Sequence, residues 1–128
     1  MQYIKNITPE LRLKIILMDG MNIKLFKDKD QDEVLCINAI KQNGLALQFI
    51  KNQTEAICLE AVKQNGLALI FVLDQIEAIC LEAVKQTSLA LQDVKNQTET
   101  VVLEAIKQNK GVLIYARDNR LRSKYSSS

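Results

Sequence analysis

Between Thr54 and Gln64 the chain places Ile57, Cys58, Leu59, Ala61 and Val62 so that, at 100° per residue, they cover more than half of a helical circumference. Glu60, Lys63 and Gln64 share the narrow polar stripe that remains. The segment consists largely of good helix formers, so the pattern predicts an α-helix buried over most of its surface. Asn52 precedes it, with Glu55 three residues on, a capping-box arrangement whose side chains satisfy the first orphan amides. The pairing recurs as Asp30 with Glu33, Asp74 with Glu77 and Asn96 with Glu99, which predicts four helix starts. Asn65-Gly66 is expected to end the helix, glycine taking the left-handed conformation at low cost. Leu67-Ala68-Leu69-Ile70-Phe71-Val72 follows, apolar almost all round, with Leu67 over Phe71 and Ala68 over Val72 at i, i+4. It predicts a two-turn inner helix.

The pattern is periodic. Lys41, Lys63, Lys85 and Lys107 each precede Gln at a spacing of 22 residues, which divides the chain into units 31–52, 53–74, 75–96 and 97–118, each opening with Gln. A divergent unit, 8–30, lies upstream: Thr8-Pro9-Glu10-Leu11, an apolar stretch to Met18, then Asp19-Gly20. Gly20 stands 24 residues before Gly44, two out of register, as suits a terminal capping repeat. Thr87-Ser88 replaces Asn-Gly in one unit, and Lys110 displaces the glycine to Gly111 in the last. At Ser88 a left-handed residue would be mildly strained, or the turn differs there.

One helix pair of 22 residues cannot bury its own apolar face, whereas stacked neighbours share a continuous core. The expected fold is all-α, a short α-solenoid of about five helix-turn-helix hairpins. It forms one helical-repeat domain over residues 1–118, and a basic, Ser-rich tail follows at 119–128. A leucine-rich repeat competes, since Ile57, Val62, Asn65 and Leu67 fit four positions of its signature. Its fifth position falls on Glu60, and again on Glu82 and Glu104, and a core carboxylate in every unit is too costly without a partner.

Stacking sets equivalent residues in ladders about 10 Å apart. Cys36, Cys58 and Cys80 occupy one slot in successive units and Val102 fills it in the next, so the slot calls for a small apolar side chain. Neighbouring thiols at that spacing are too distant for disulfides, which need Cα atoms within roughly 7 Å. Zinc would need four converging ligands, and the chain has neither a histidine nor a Cys-x-x-Cys pair. The candidate site is the polar stripe. Lys41, Lys63, Lys85 and Lys107 form one ladder; Gln42, Gln64, Gln86 and Gln108 form a second; Glu60, Glu82 and Glu104 form a third, with Asn38 in its first place. The stripe reads either as an extended docking surface for an acidic or polar peptide, or as a solvated face on which Glu60 and Lys63 pair at i, i+3.

Catalysis has little to draw on. Without histidine a Ser or Cys nucleophile lacks its commonest base, and no Gly-rich phosphate loop or nucleophile elbow is present. Carboxylates recur only as repeated surface residues, without the asymmetric surroundings that separate an acid from a base. The reading is a non-enzymatic protein with no cofactor, no metal and no small-molecule substrate.

Nearly half of the 128 residues are apolar and a quarter charged, an ordinary globular balance. The longest apolar run, Leu67 to Leu73, is too short to span a bilayer, and Met1 to Lys5 does not open a signal peptide, so a cytoplasmic protein without membrane contact is expected. The net charge of +2 is unevenly spread. Residues 31–118 hold eight basic against eleven acidic residues, and Arg120, Arg122 and Lys124 follow. An acidic body disfavours nucleic acid, leaving only the tail for that purpose.

The unit Thr54-Glu55-Ala56-Ile57-Cys58-Leu59-Glu60-Ala61-Val62-Lys63-Gln64-Asn65-Gly66-Leu67-Ala68-Leu69 resembles a repeat family of unknown function. Its members carry a similar "LEAVKQNGLAL" core and are numerous in giant viruses of amoebae, with others in amoeba-associated bacteria. The resemblance covers residues 31–118 well and 8–30 poorly, with Gln86-Thr87-Ser88 and Asn109-Lys110-Gly111 departing from it. It implies a viral protein acting in the host cytoplasm or the particle, and it brings no residue role with it. The expectation is a scaffold for protein–protein interaction whose partner is an unidentified protein. The alternative is a self-assembling structural component that pairs with its own copies.

Overall fold

The computed structural model describes residues 7–126, and among them the regular structure is entirely helical. Five hairpins of one α-helix and one 3₁₀-helix follow each other. They are α1 (Pro9–Met18) with η1 (Gly20–Leu25), α2 (Glu33–Gln42) with η3 (Gly44–Phe49), and α3 (Glu55–Gln64) with η4 (Gly66–Phe71). Then come α4 (Glu77–Gln86) with η5 (Ser88–Asp93) and α5 (Glu99–Gln108) with η6 (Lys110–Tyr115). A further 3₁₀ turn, η2 (Asp28–Asp30), joins the first two hairpins, and α6 (Asn119–Ser126) follows the last. Successive α-helices pack side by side in one layer and successive 3₁₀-helices in a second, each 3₁₀-helix lying against its own α-helix and the next unit's. The α-solenoid expected from the period is the fold.

Each unit is local physics repeated. In α3, Ile57, Cys58, Ala61 and Val62 are buried, and α4 buries Ile79, Cys80, Ala83 and Val84 at the same places. The helices start two residues later than the Asx-x-x-Glu pattern suggested. Asp32, Thr54 and Thr98 are the N-caps, their side chains accepting from the amides of Leu35, Ile57 and Val101, and each glutamate is the first helical residue. There its charge favours the helix N-terminus. Ile76 takes the N-cap place in α4 and supplies no such bond.

The inner helix has two turns, as expected, but its winding is 3₁₀. Three residues per turn put Leu67 and Ile70 on one exposed edge and Gly66 and Leu69 on a buried one, and Leu73, just past the helix end, is exposed as well. Nor does glycine close the α-helix in the left-handed conformation. Asn65 ends α3 in extended geometry (φ −153°, ψ 107°), its amide bonded to the Ala61 carbonyl, and its side chain accepts from Leu67 N to cap the 3₁₀-helix. Thr87 adopts the same geometry ahead of Ser88, so no strain arises there.

Close approach explains the glycines instead. A Cβ on Gly44 would sit 2.7 Å from the Ala61 carbonyl oxygen, and one on Gly66 would sit 2.5 Å from that of Ala83. Gly20 meets the Ala39 carbonyl in the same way. Gly and the next unit's fully buried Ala are thus the two halves of each junction, with Ser88 and Ala105 in these places at the last. Lys110 occupies the glycine place where no further repeat follows among the described residues. The two extra residues of the first unit lie in the η2 connection, which is tied down by Arg12–Asp30 (3.6 Å), with a longer, solvent-exposed Lys51–Asp28 contact (3.8 Å) beside it.

Candidate functional site

The α layer carries the predicted ladders. Lys41, Lys63, Lys85 and Lys107, with Gln42, Gln64, Gln86 and Gln108, are the last two residues of four successive helices, and all eight are exposed. A lysine there also complements the negative end of the helix dipole. Glu60, Glu82 and Glu104 lie one turn earlier and are half-buried. The expected pairing of Glu60 with Lys63 is not formed; Glu60 accepts a hydrogen bond from Gln64 at 3.1 Å. Gln86 turns inward along the stack, its Oε1 accepting from Gly66 N at 2.6 Å, so one member of the second ladder ties two repeats together. Asn38 bonds back to the Val34 carbonyl at 2.8 Å. The stripe therefore presents ammonium groups in register beside half-buried carboxylates, of which Glu60 is held by a residue of its own helix.

What holds the register is a set of residues whose role the sequence did not disclose. Each unit's opening glutamine bridges two 3₁₀-helices. Gln53 Nε2 donates to the carbonyls of Ile50 (3.1 Å) and Phe71 (2.9 Å), and its Oε1 accepts from Leu73 N (3.0 Å). Gln75 repeats this with Leu69, Asp93 and Lys95, and Gln97 with Leu91, Tyr115 and Arg117. Gln31 donates to Phe26 and Phe49. One carboxamide thus satisfies carbonyls and an amide that a 3₁₀-helix leaves orphaned at its end, across the junction between units. The available signal was a glutamine at the same 22-residue period in all four units.

The cysteine slot is core. Cys36, Cys58 and Cys80 are buried and free. Burial pushes the Cys36 and Cys58 thiols up to about 11, with Asp32 and Glu33 adding to the effect at Cys36 and Asp74 at Cys58. Cys80 is raised by burial and by Glu77. Thiols held protonated in this way are poor nucleophiles.

The basic segment after Asp118 forms α6, which packs on η6 and is tied to α5 through side chains. Inside the stack, Thr98 donates its hydroxyl proton to Glu77, the first residue of the preceding α-helix, at 2.5 Å. At the end, Tyr125 donates to Glu99 at 2.5 Å, and Lys124 pairs with the same oxygen at 2.7 Å. Arg117 donates to the carbonyls of Val94 and Lys95.

Residues 35–77 match a protein family described as a domain of unknown function (DUF4116). The matched span takes in most of the unit 31–52, the whole of 53–74 and the start of the next. No curated protein and no solved structure matches the chain. Among the described residues no helix is long and apolar enough to cross a membrane, and no group of His, Cys, Asp and Glu is arranged to hold a metal ion.

Proposed function

We propose that the chain is a non-enzymatic helical-repeat scaffold that docks another protein. The observation that carries this reading is the rigid register of the stack. Four Lys-Gln pairs repeat along one exposed face, and glutamine bridges fix each unit to the next, so an extended partner would meet equivalent charges at a regular interval. The stripe of Lys41, Lys63, Lys85 and Lys107 is its first candidate surface. Thiols raised by burial and the absence of histidine support a role without catalysis. The resemblance to repeats numerous in giant viruses supports the host cytoplasm or the particle as its place of action.

Self-assembly by adding repeats end to end receives less support. Internal junctions use a small residue facing an Ala, but Lys110 takes the small residue's place in the last hairpin and Ile15 takes that of Ala in the first. Either side chain would obstruct a further repeat.

The test is capture of the tagged protein's companions from nuclease-treated cytosol, in parallel with a variant carrying Lys63→Glu and Lys85→Glu. A companion lost in the variant supports docking on the α layer. Recovery of the protein alone, in both forms and at twice its monomer mass, would replace the adaptor with a self-assembling component.

A further inference from the structure

The outward side of the 3₁₀ layer consists of three rows at the repeat period. One holds Met21, Leu45, Leu67, Leu89 and Gly111; the next Lys24, Gln48, Ile70, Gln92 and Ile114; the third Lys27, Lys51, Leu73, Lys95 and Arg117. No acidic residue lies in any of them. The middle unit alone is apolar in all three, with Leu67 40%, Ile70 59% and Leu73 68% exposed in one line.

The neighbouring unit provides an internal control. Helices α3 and α4 have the same sequence, and η5 folds like η4 with Gln92 in place of Ile70 and, just past the helix end, Lys95 in place of Leu73. The scaffold therefore needs neither apolar side chain, and single exposed apolar residues are ordinary where an aligned group of three is not. Beside Leu73 opens a cleft of about 210 Å³ between two repeats, walled by Ile76, Ile79 and Cys58, with Lys51, Glu55 and Asp74 also lining it. Lys51 and Lys95 flank Leu73 in its own row, about 10 Å to either side at ordinary helix spacing. Lys51 reaches Asp28 only at 3.8 Å, and Lys24 lies over the Phe49 ring at 5.9 Å.

We infer that this face docks an acidic amphipathic segment of a partner protein. Its apolar side chains cover Leu67, Ile70 and Leu73 and enter the cleft, and its carboxylates meet Lys51 and Lys95. Lys51 and Lys95 in the rows favour an acidic partner, while Glu55 and Asp74 leave the cleft itself to apolar side chains. The concave cleft favours a side chain over a flat bilayer, and the rows offer no exposed aromatic ring on which a base could stack. The inference rests on the reading of the chain as a docking scaffold and moves the partner from the α layer to the 3₁₀ layer.

The test uses a fluorescein-labelled synthetic peptide of about 18 residues, long enough to hold a helix, with Leu on one face and Glu on the other. A counterpart replaces every Glu with Lys. The full chain is compared with Ile70→Gln/Leu73→Lys, a surface its own next repeat already folds with, and with Lys51→Glu/Lys95→Glu. The expected result is saturable anisotropy with the Glu peptide, weakened about tenfold or more by either variant, and a switch of preference to the Lys peptide in Lys51→Glu/Lys95→Glu. Glu-peptide binding that neither variant changes would overturn the inference. So would sedimentation with phosphatidylserine vesicles, or a dimer mass, that Ile70→Gln/Leu73→Lys abolishes, since the face would then belong to lipid or to a second copy. Failure of the peptide while a companion sensitive to Lys63→Glu/Lys85→Glu persists refutes this surface alone; loss of both refutes the docking reading as well.

Discussion

The α layer and the 3₁₀ layer share one period and use it differently. Helices α3 and α4 are identical in sequence, whereas the inner helices that follow them, GLALIF and SLALQD, differ at their first, fifth and sixth residues. Two kinds of position explain the contrast. In both layers the buried residues answer to two repeats at once, so Ala68 with Leu69 and Ala90 with Leu91 are retained. The outward edge of a 3₁₀-helix answers only to solvent or to a partner, and there Ile70 and Gln92 are equally compatible with the fold. Variation among copies on one scaffold therefore separates what the stack requires from what it displays.

The strongest way to break the comparison is to strike the α layer. Val62→Pro places a ring in the interior of α3 at a fully buried position, costing about 3 kcal/mol or more from the helix alone. Because each unit is stable only through its neighbours, circular dichroism should show the stack losing its cooperative melt rather than one hairpin. A variant that melts normally with one hairpin missing would show the units to be independent.

The next largest effect is expected from the bridges between 3₁₀-helices. Gln53→Leu leaves the carbonyls of Ile50 and Phe71 and the amide of Leu73 without their partner, a loss of about 2 kcal/mol in chemical denaturation. Gln92→Leu, an exposed change one repeat on, should stay within about 0.5 kcal/mol. Equal effects from the two would reduce the opening glutamine to a surface residue.

Smaller again is the junction. Gly66→Ala sets a Cβ 2.5 Å from the Ala83 carbonyl oxygen, so the two layers must part locally, at a cost of about 1–2 kcal/mol. Gly111→Ala meets only the Asn109 side chain and should be nearly neutral in the same thermal melt. If both alanines were neutral, glycine would be serving no close approach.

The period, the helical class and the buried faces were legible because burial on one side of a helix leaves a periodic trace. The helix starts were misread for a physical reason. Asn52 and Glu55 fit a capping box, but Thr54 caps just as well from two residues later, and Ile76 hides the shared position in the next unit. The winding of η4 left no trace, since six residues apolar almost all round carry little signal at either three or 3.6 residues per turn. The polar stripe on the α layer was legible because its charges repeat, and its eight Lys and Gln residues are exposed there. The apolar line of Leu67, Ile70 and Leu73 passed for core, which a burial pattern shared by two faces of a short helix cannot distinguish.

The finest contrast is between the repeats, packed helix on helix, and α6, which is tied to Glu99 through exposed side chains. Lys124 and Tyr125 hydrogen-bond to Glu99 and hold its carboxyl below the ordinary range, against desolvation and the more distant charge of Asp118. The same contact raises Lys124 and Tyr125 above their usual values. A depressed carboxyl contributes stability above its unfolded pKa, near 4.3, and loses it as pH falls through the lower folded value. A raised Lys or Tyr contributes below its unfolded pKa, near 10, and loses it as pH rises through the higher folded value. Docking of α6 should therefore be tightest between about pH 5 and pH 9 and loosen on both sides, while the stack beneath it, held by buried apolar contacts, keeps its far-ultraviolet signal. Amide exchange across α6 as a function of pH reads this out. Glu99→Gln should flatten both limbs of the profile, and a profile unchanged by that substitution would place the attachment of α6 elsewhere, in the packing of Leu121 against the core.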